Sequence, residues 1–304
     1  MNSQDASLNN DVVTQHVYII LDTFYNDAFG HWVYEGGIYL PIISHIKETY
    51  PGAKVVLNKE IKYKNLFVNY FGFTDDDIVY DIAPPNLCFF PIPQICSLNR
   101  HERLQEYRYL VTNFMNVFDD IQFEKKYEIT IMPRHKTGNF YMFDRTIDTM
   151  DIEKILSTSP QNFVFDTSKV LSLIEHMTPI KQSKTIIIPD GSSFLVNAMF
   201  AYNSRIIVLG CQTCFQAIDH ASVKLFDVID HITTHNEIVY VSKTIEFGSR
   251  KETHSYSDIE KFIVSNDLSE LCHVISKNIY VAKDVSENCS YTMENLRRAW
   301  KRMT

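Results

Sequence analysis

An imidazole and a carboxylate, His31 and Glu35, stand four residues apart directly after Gly30 in Phe29-Gly30-His31-Trp32-Val33-Tyr34-Glu35. On a helix this spacing puts both side chains on one face, so they can converge on a single bound hydroxyl, one as base and one as its orienting partner. The plainer reading is a surface pair beside a buried Trp32 and Tyr34. A second group, Arg134, His135 and Lys136, ends the apolar run Ile131-Met132-Pro133, and Arg145 follows it. Guanidinium grips phosphate oxygens bidentately and ammonium supplies a compact charge, so this cluster suits an anion. The alternative is a solvated basic loop. A third group follows the run Thr185–Pro189: Asp190, Gly191, Ser192 and Ser193, then Asn197. A buried strand, a small-residue turn and a helix start leave backbone N–H groups free for a phosphate, although Asp and Ser are also ordinary helix caps.

These residues need a scaffold, and the apolar patterning supplies one. Val17–Leu21, Ala53–Leu57, Asp77–Tyr80 and Leu87–Phe90 read as short strands, with helices expected over His31–Thr49, Ile61–Tyr70 and His101–Phe118. Tyr50-Pro51-Gly52 ends the first helix. After Asp119-Asp120 the pattern restarts. Strands are expected at Glu128–Met132, Asn162–Phe165, Lys184–Ile188, Arg205–Leu209 and Glu237–Val241, and helices over Arg145–Leu156, Ser168–His176, Ser257–Ser265 and Thr292–Met303. Alternation of this kind implies parallel sheets with crossover helices.

The block Gly30-His31-Trp32-Val33-Tyr34-Glu35, followed by the apolar run Ile38–Ile43, resembles the Gly-His-Trp-x-x-Glu signature of the family-61 glycosyltransferases. In the second half, Gly191, Leu195, Asn197 and Phe200 are similar to that family's His-Gly-Ala-Gly-Leu and Asn block, with Asp190 where the family has His and Ala28 where it has Asn. The resemblance spans the stretch from Asp22 to Leu209. It implies an α/β chain of GT-B type, two Rossmann-like domains facing across a cleft. Residues 1–122 would carry the acceptor and base, residues 123–285 the nucleotide sugar, and residues 286–304 a terminal helix packing back on the first domain. The implied activity is inverting and metal-independent. Glu35 would be the base, with His31 its helper or substitute, and Arg134, Lys136, Arg145, Asp190, Gly191, Ser192, Ser193 and Asn197 would bind the donor. The co-substrate would be a UDP-sugar, carrying a pentose such as xylose or GlcNAc, and the acceptor a glycan or glycoprotein hydroxyl. Two rivals stand beside this. One is a catalytically silent glycan- or nucleotide-binding protein of the same fold. The other is a metal-dependent GT-A-like transferase using Asp75–Asp77 in Thr74-Asp75-Asp76-Asp77, a run that also suits turn capping.

Composition limits the partners. The 304 residues carry a net charge of −8 and are 45% hydrophobic, so a large core is affordable but no general attraction to nucleic acid or anionic membrane exists. Six cysteines lack the dense spacing of a disulfide scaffold, and the lone CxxC, Cys211 to Cys214, has only His231 and His235 nearby as further metal ligands, the minority reading. His16, His45, His101, His176, His220, His254 and His273 are scattered and read as core, capped or surface residues. The start, Met1–Asp11, is polar with neither a basic nor an apolar segment, and no window reaches the length of a spanning helix, so a soluble cytoplasmic protein without membrane insertion is expected.

Overall fold

A computed structural model describes residues 17–21, 32–33, 36–57, 60, 62–80, 88–91, 100–133, 146–190, 196–210, 224–241 and 251–283. The chain is mixed α/β with mainly parallel sheets. Strands Val17–Ile20 (β1), Lys54–Val56 (β2), Ile78–Val79 (β3) and Cys88–Pro91 (β4) form one parallel sheet in the order β3-β2-β1-β4. Then come Tyr127–Ile131 (β5), Thr146–Asp148 (β6), Asn162–Val164 (β7), Ser183–Pro189 (β8), Arg205–Leu209 (β9), Glu237–Val241 (β10), Lys251–Thr253 (β11), Cys272–Ser276 (β12) and Ile279–Ala282 (β13). The second sheet has the order β12-β13-β10-β9-β8-β5-β7 and is parallel except at β12–β13, while β6 and β11 form a separate parallel pair. The helices are Leu40–Thr49 (α1), Lys62–Tyr70 (α2), Arg100–Asp119 (α3), Met150–Leu156 (α4), Leu173–Lys181 (α5), Lys224–His235 (α6) and Tyr256–Val264 (α7).

The second sheet is covered on both faces, and its strands read as unbroken apolar runs for that reason. Ile186, Ile188, Ile206, Val208 and Ile238 point to one side and join a core that also contains Val17, Ile19, Trp32, Phe67 and Phe114 of the first half. The intervening Ile187, Ile207, Leu209, Val239 and Val241 point to the other side and pack with Ile152, Ile259 and Phe262. The two-residue side-chain period of a strand thus assigns alternate residues of β8, β9 and β10 to two different cores. The long helix α3 packs on α1 and α6, and its Leu110, Val111, Phe114, Met115 and Phe118 lie in the core shared by both sheets.

Several sequence expectations change. The expected helix Arg145–Leu156 begins only at Met150, because Thr146–Asp148 is instead a strand pairing with Lys251–Thr253. Such a distant partner leaves no local periodicity. The expected helix Ser168–His176 starts at Leu173 and continues to Lys181. Asp166 caps a 3-10 turn at Thr167–Lys169, and Ser172 then caps the helix proper by accepting the Glu175 N–H, so two local caps divide what looked like one segment. The span His31–Thr49 is not one helix: Gly37–Tyr39 forms a 3-10 turn before α1. Strands β6, β11, β12 and β13 and helix α6 had no counterpart in the expectations; Asn278, at φ 62°, makes the turn of the β12–β13 hairpin. The expected helix Thr292–Met303 lies outside the described residues.

Candidate functional site

Each sheet reverses its strand order once. In the first, β2 and β3 extend to one side of β1 and β4 lies on the other, so the reversal falls between β1 and β4. In the second, β7 lies on one side of β5, whereas β8 and then β9 lie on the other, so the reversal falls between β5 and β8. Connections leaving a parallel sheet in opposite directions open a crevice outside the carboxyl ends of the strands, the usual ligand position in open α/β sheets. The chain leaving β1 carries His31 and Glu35. That leaving β5 carries Arg134, Lys136 and Arg145, and that leaving β8 carries Asp190 through Asn197. The three sequence-selected groups therefore follow strands at the two reversals.

Trp32 and Val33 are helical and fully buried, and the Gly36 N–H donates to the Trp32 carbonyl at 2.8 Å, closing a turn across this block. A Cβ on Gly36 would lie 2.2 Å from the Leu21 carbonyl oxygen, so only glycine lets this turn press against the end of β1. Sequence reasoning missed Gly36. Its signal was the Gly36-Gly37 doublet in a chain with only nine glycines. His31 and Glu35 themselves lie outside the described residues, as do Arg134, Lys136, Arg145, Gly191, Ser192 and Ser193.

Asp190 and Asn197 are described, and both are buried. The Asp190 N–H donates to the Leu209 carbonyl at 2.7 Å, extending the β8–β9 ladder by one residue to the sheet edge. The Asn197 Oδ1 pairs with His176 Nε2 at 2.7 Å. His176 projects from α5, and its ring meets Phe165 at 5.6 Å and Phe200 at 6.0 Å, both edge-on. Burial holds this imidazole below its ordinary pKa, and the Asn197 bond, which acts the other way, does not overcome burial. A neutral ring next to an amide oxygen requires the tautomer with Nε2–H, which donates to Asn197. The Asn197 carbonyl is thus engaged inside the protein. Of the core, capped and surface readings open to the scattered histidines, His176 takes the core one; its partner 21 residues away gave no sequence signal.

Aromatic packing brings the two motif blocks near each other. The Phe67 ring, on α2, lies 6.0 Å from Trp32 and 6.2 Å from Phe200. Phe118 meets Phe200 edge-on at 5.1 Å. Trp32 adjoins His31 in sequence and Phe200 closes the turn that begins at Val196, so one buried ring separates the segment after β1 from the segment after β8. Lys64, fully buried on α2, has its ammonium 6.0 Å from the Trp32 ring.

Several of the other candidate ligand groups have partners within the fold. Asp75–Asp77 is a 3-10 turn with a capping box, in which Asp77 accepts from the Thr74 N–H and hydroxyl at 2.8 and 2.9 Å and pairs with Lys47 and Lys54. Burial pushes the Asp77 carboxyl up, yet the Lys47 and Thr74 bonds and the Lys47 charge hold it below its usual value. A carboxylate already neutralised by two ammonium groups is poorly disposed to ligate a metal. Asp75 is held by the Asn69 amide at 3.0 Å. His231 bonds Asp119 at 3.0 Å and the His235 ring lies 4.8 Å from Tyr202, while Cys211 and Cys214 lie outside the described residues. Among the described residues no three or more His, Cys, Asp or Glu side chains come together as a metal-binding group, and no helix is long and apolar enough to cross a membrane.

At the opposite, amino-terminal edge of the second sheet, Lys125 Nζ donates among the carbonyls of Lys181, Ser183 and Tyr202 and the Ser204 hydroxyl. Burial, then the nearby Lys181 charge, lowers its pKa to about 8. A groove of about 460 Å³ lies at this edge, lined by Asn203, Arg205, Asn236 and Glu237 among others. Two of its polar side chains are engaged internally: Arg205 binds Glu237 and the carbonyls of Phe262 and Ser265, and Asn236 binds Ser204, Ala201 and Ile232. No known family model matches the chain, and neither does any curated protein.

Proposed function

We propose that the protein is an inverting, metal-independent glycosyltransferase of GT-B type that moves a pentose or GlcNAc from a UDP-sugar to a glycan or glycoprotein hydroxyl. Its halves, residues 1–122 and 123–285, would bind acceptor and donor, with residues 286–304 returning to the first half and the cytoplasm as its compartment. The observation that supports this reading is the coincidence of motif and topology. The His31–Glu35 block follows the strand at one order reversal, the basic and Gly-Ser blocks follow the two strands at the other, and Phe67 packs between the two regions.

In the proposed reaction Glu35 takes the acceptor hydroxyl proton as that oxygen attacks the anomeric carbon. The bond from that carbon to the diphosphate oxygen breaks on the opposite face, inverting configuration, and UDP leaves with the electron pair. Arg134, Lys136, Arg145 and the N–H groups around Gly191–Ser193 take up the growing negative charge, and His31 orients Glu35 or the acceptor. Asp190 adds negative charge at this edge, so the cations from the β5 connection must carry the phosphate recognition. The test is Glu35→Gln, assayed by release of free sugar from UDP-xylose and UDP-GlcNAc and by UDP titration. Hydrolysis should fall by at least about 10²-fold with UDP affinity unchanged. Unchanged turnover removes Glu35 from the base role, and UDP binding with no turnover in the wild type favours the silent binding protein.

A further inference from the structure

We infer that His176 is a positioning residue: through its Nε2–H bond to Asn197 it holds the turn at Val196–Phe200, which follows β8 in the chain, against α5. This rests on the reading of that segment as the donor site for its functional consequence, but not for its structural one. The ring is placed to do this. Its neighbour Phe165 continues β7, donating its N–H to the Ile131 carbonyl at 2.9 Å, so one side of His176 touches the carboxyl-end edge at β5 and β7. The other side touches Asn197 and Phe200, which belong to the chain leaving β8. His176 therefore contacts residues on both flanks of the β5–β8 reversal.

A histidine that only fills space could be replaced by leucine with a loss spread over the whole core. A positioning histidine differs, because a buried amide oxygen deprived of its donor releases one particular segment. Glutamine, which can donate from its amide N–H, should restore what leucine removes.

Amide hydrogen exchange and UDP titration on wild type, His176→Leu and His176→Gln test the inference. In the leucine variant, exchange across residues 196–200 should rise about fivefold over that across β10, and UDP affinity should fall about fivefold, the equivalent of one net hydrogen bond. Glutamine should recover both. If the leucine variant fails to fold, Asn197→Ala, which keeps the ring, carries the same expectation. Local release of residues 196–200 without UDP binding by any form, wild type included, upholds the positioning role and overturns the donor-site reading. Exchange that is unchanged, or raised evenly through β8, β9 and β10, overturns the positioning role, whatever the UDP titration gives.

Discussion

Gly36→Ala should uncouple turnover from nucleotide binding. The added methyl would stand 2.2 Å from the Leu21 carbonyl oxygen, whereas real Cβ contacts essentially never fall below 3.0 Å. The obstacle is backbone at the end of β1, so rotamer changes give no relief, and the turn closed by the Gly36 to Trp32 bond must retreat by about 1 Å. Trp32 and Val33 are fully buried and a Cβ on Gly37 would lie 3.4 Å from the Trp32 ring, so that retreat drags a packed core segment and costs about 1–3 kcal/mol. Glu35 is the residue immediately before Gly36. A misplacement of about 1 Å in a reacting group lowers turnover about 10²-fold. The Phe67 ring stands between the shifted Trp32 and Phe200 of the segment after β8, so UDP affinity should stay within about twofold. Urea unfolding, UDP titration and UDP-sugar hydrolysis on the same preparation read all three quantities. An alanine variant with unchanged stability and turnover would refute the packing of this turn against β1.

Other perturbations test the rest of the account. A double-mutant cycle of Phe67→Leu with Phe200→Leu should show a coupling of about 0.5–1.5 kcal/mol in urea unfolding, and additivity within about 0.3 kcal/mol would contradict the shared core. Lys125 titrates near 8 in the folded state against 10.5 for an ordinary lysine, so the unfolded chain binds the extra proton and stability rises between those values. With allowance for its partial exposure, this rise is about 1–2 kcal/mol; Lys125→Met should remove it from the difference curve, and identical pH curves would show that the group is not depressed. Asp77→Asn should cost about 1 kcal/mol through the weakened capping box and lost pairing with Lys47, and leave UDP binding insensitive to EDTA; loss of UDP binding would revive the metal-dependent reading. Arg134→Ala should weaken UDP at least tenfold, and an unchanged affinity would return the basic cluster to a solvated loop.

The sequence was most legible where burial is two-sided. Continuous β-branched runs such as Ile186-Ile187-Ile188 and Ile206-Ile207-Val208 leave a strand buried between helices as the simplest reading, and β5, β8, β9 and β10 fall within a residue or two of expectation. Elements defined by distant partners escaped. Thr146–Asp148 is a strand only because Lys251–Thr253 lies beside it, and a three-residue segment has no period to read. The helix beginning at Leu173 was placed too early because a capped 3-10 turn and a capped helix sit end to end, and propensity does not separate them. At the site, Asp190 and Asn197 were marked by their place after an apolar run. Gly36, His176 and Lys125 were not, since a close backbone approach, a neutral buried imidazole and an ammonium held by carbonyls all depend on neighbours that only folding supplies.

Calorimetric titration of the wild-type protein with UDP, in the presence and absence of EDTA, tests the central claim most directly. A nucleotide-sugar transferase that neutralises its leaving group with Arg134, Lys136 and backbone N–H groups should bind UDP equally in both buffers and prefer it to GDP and CMP. Absence of UDP binding, or binding that EDTA abolishes, would contradict the account.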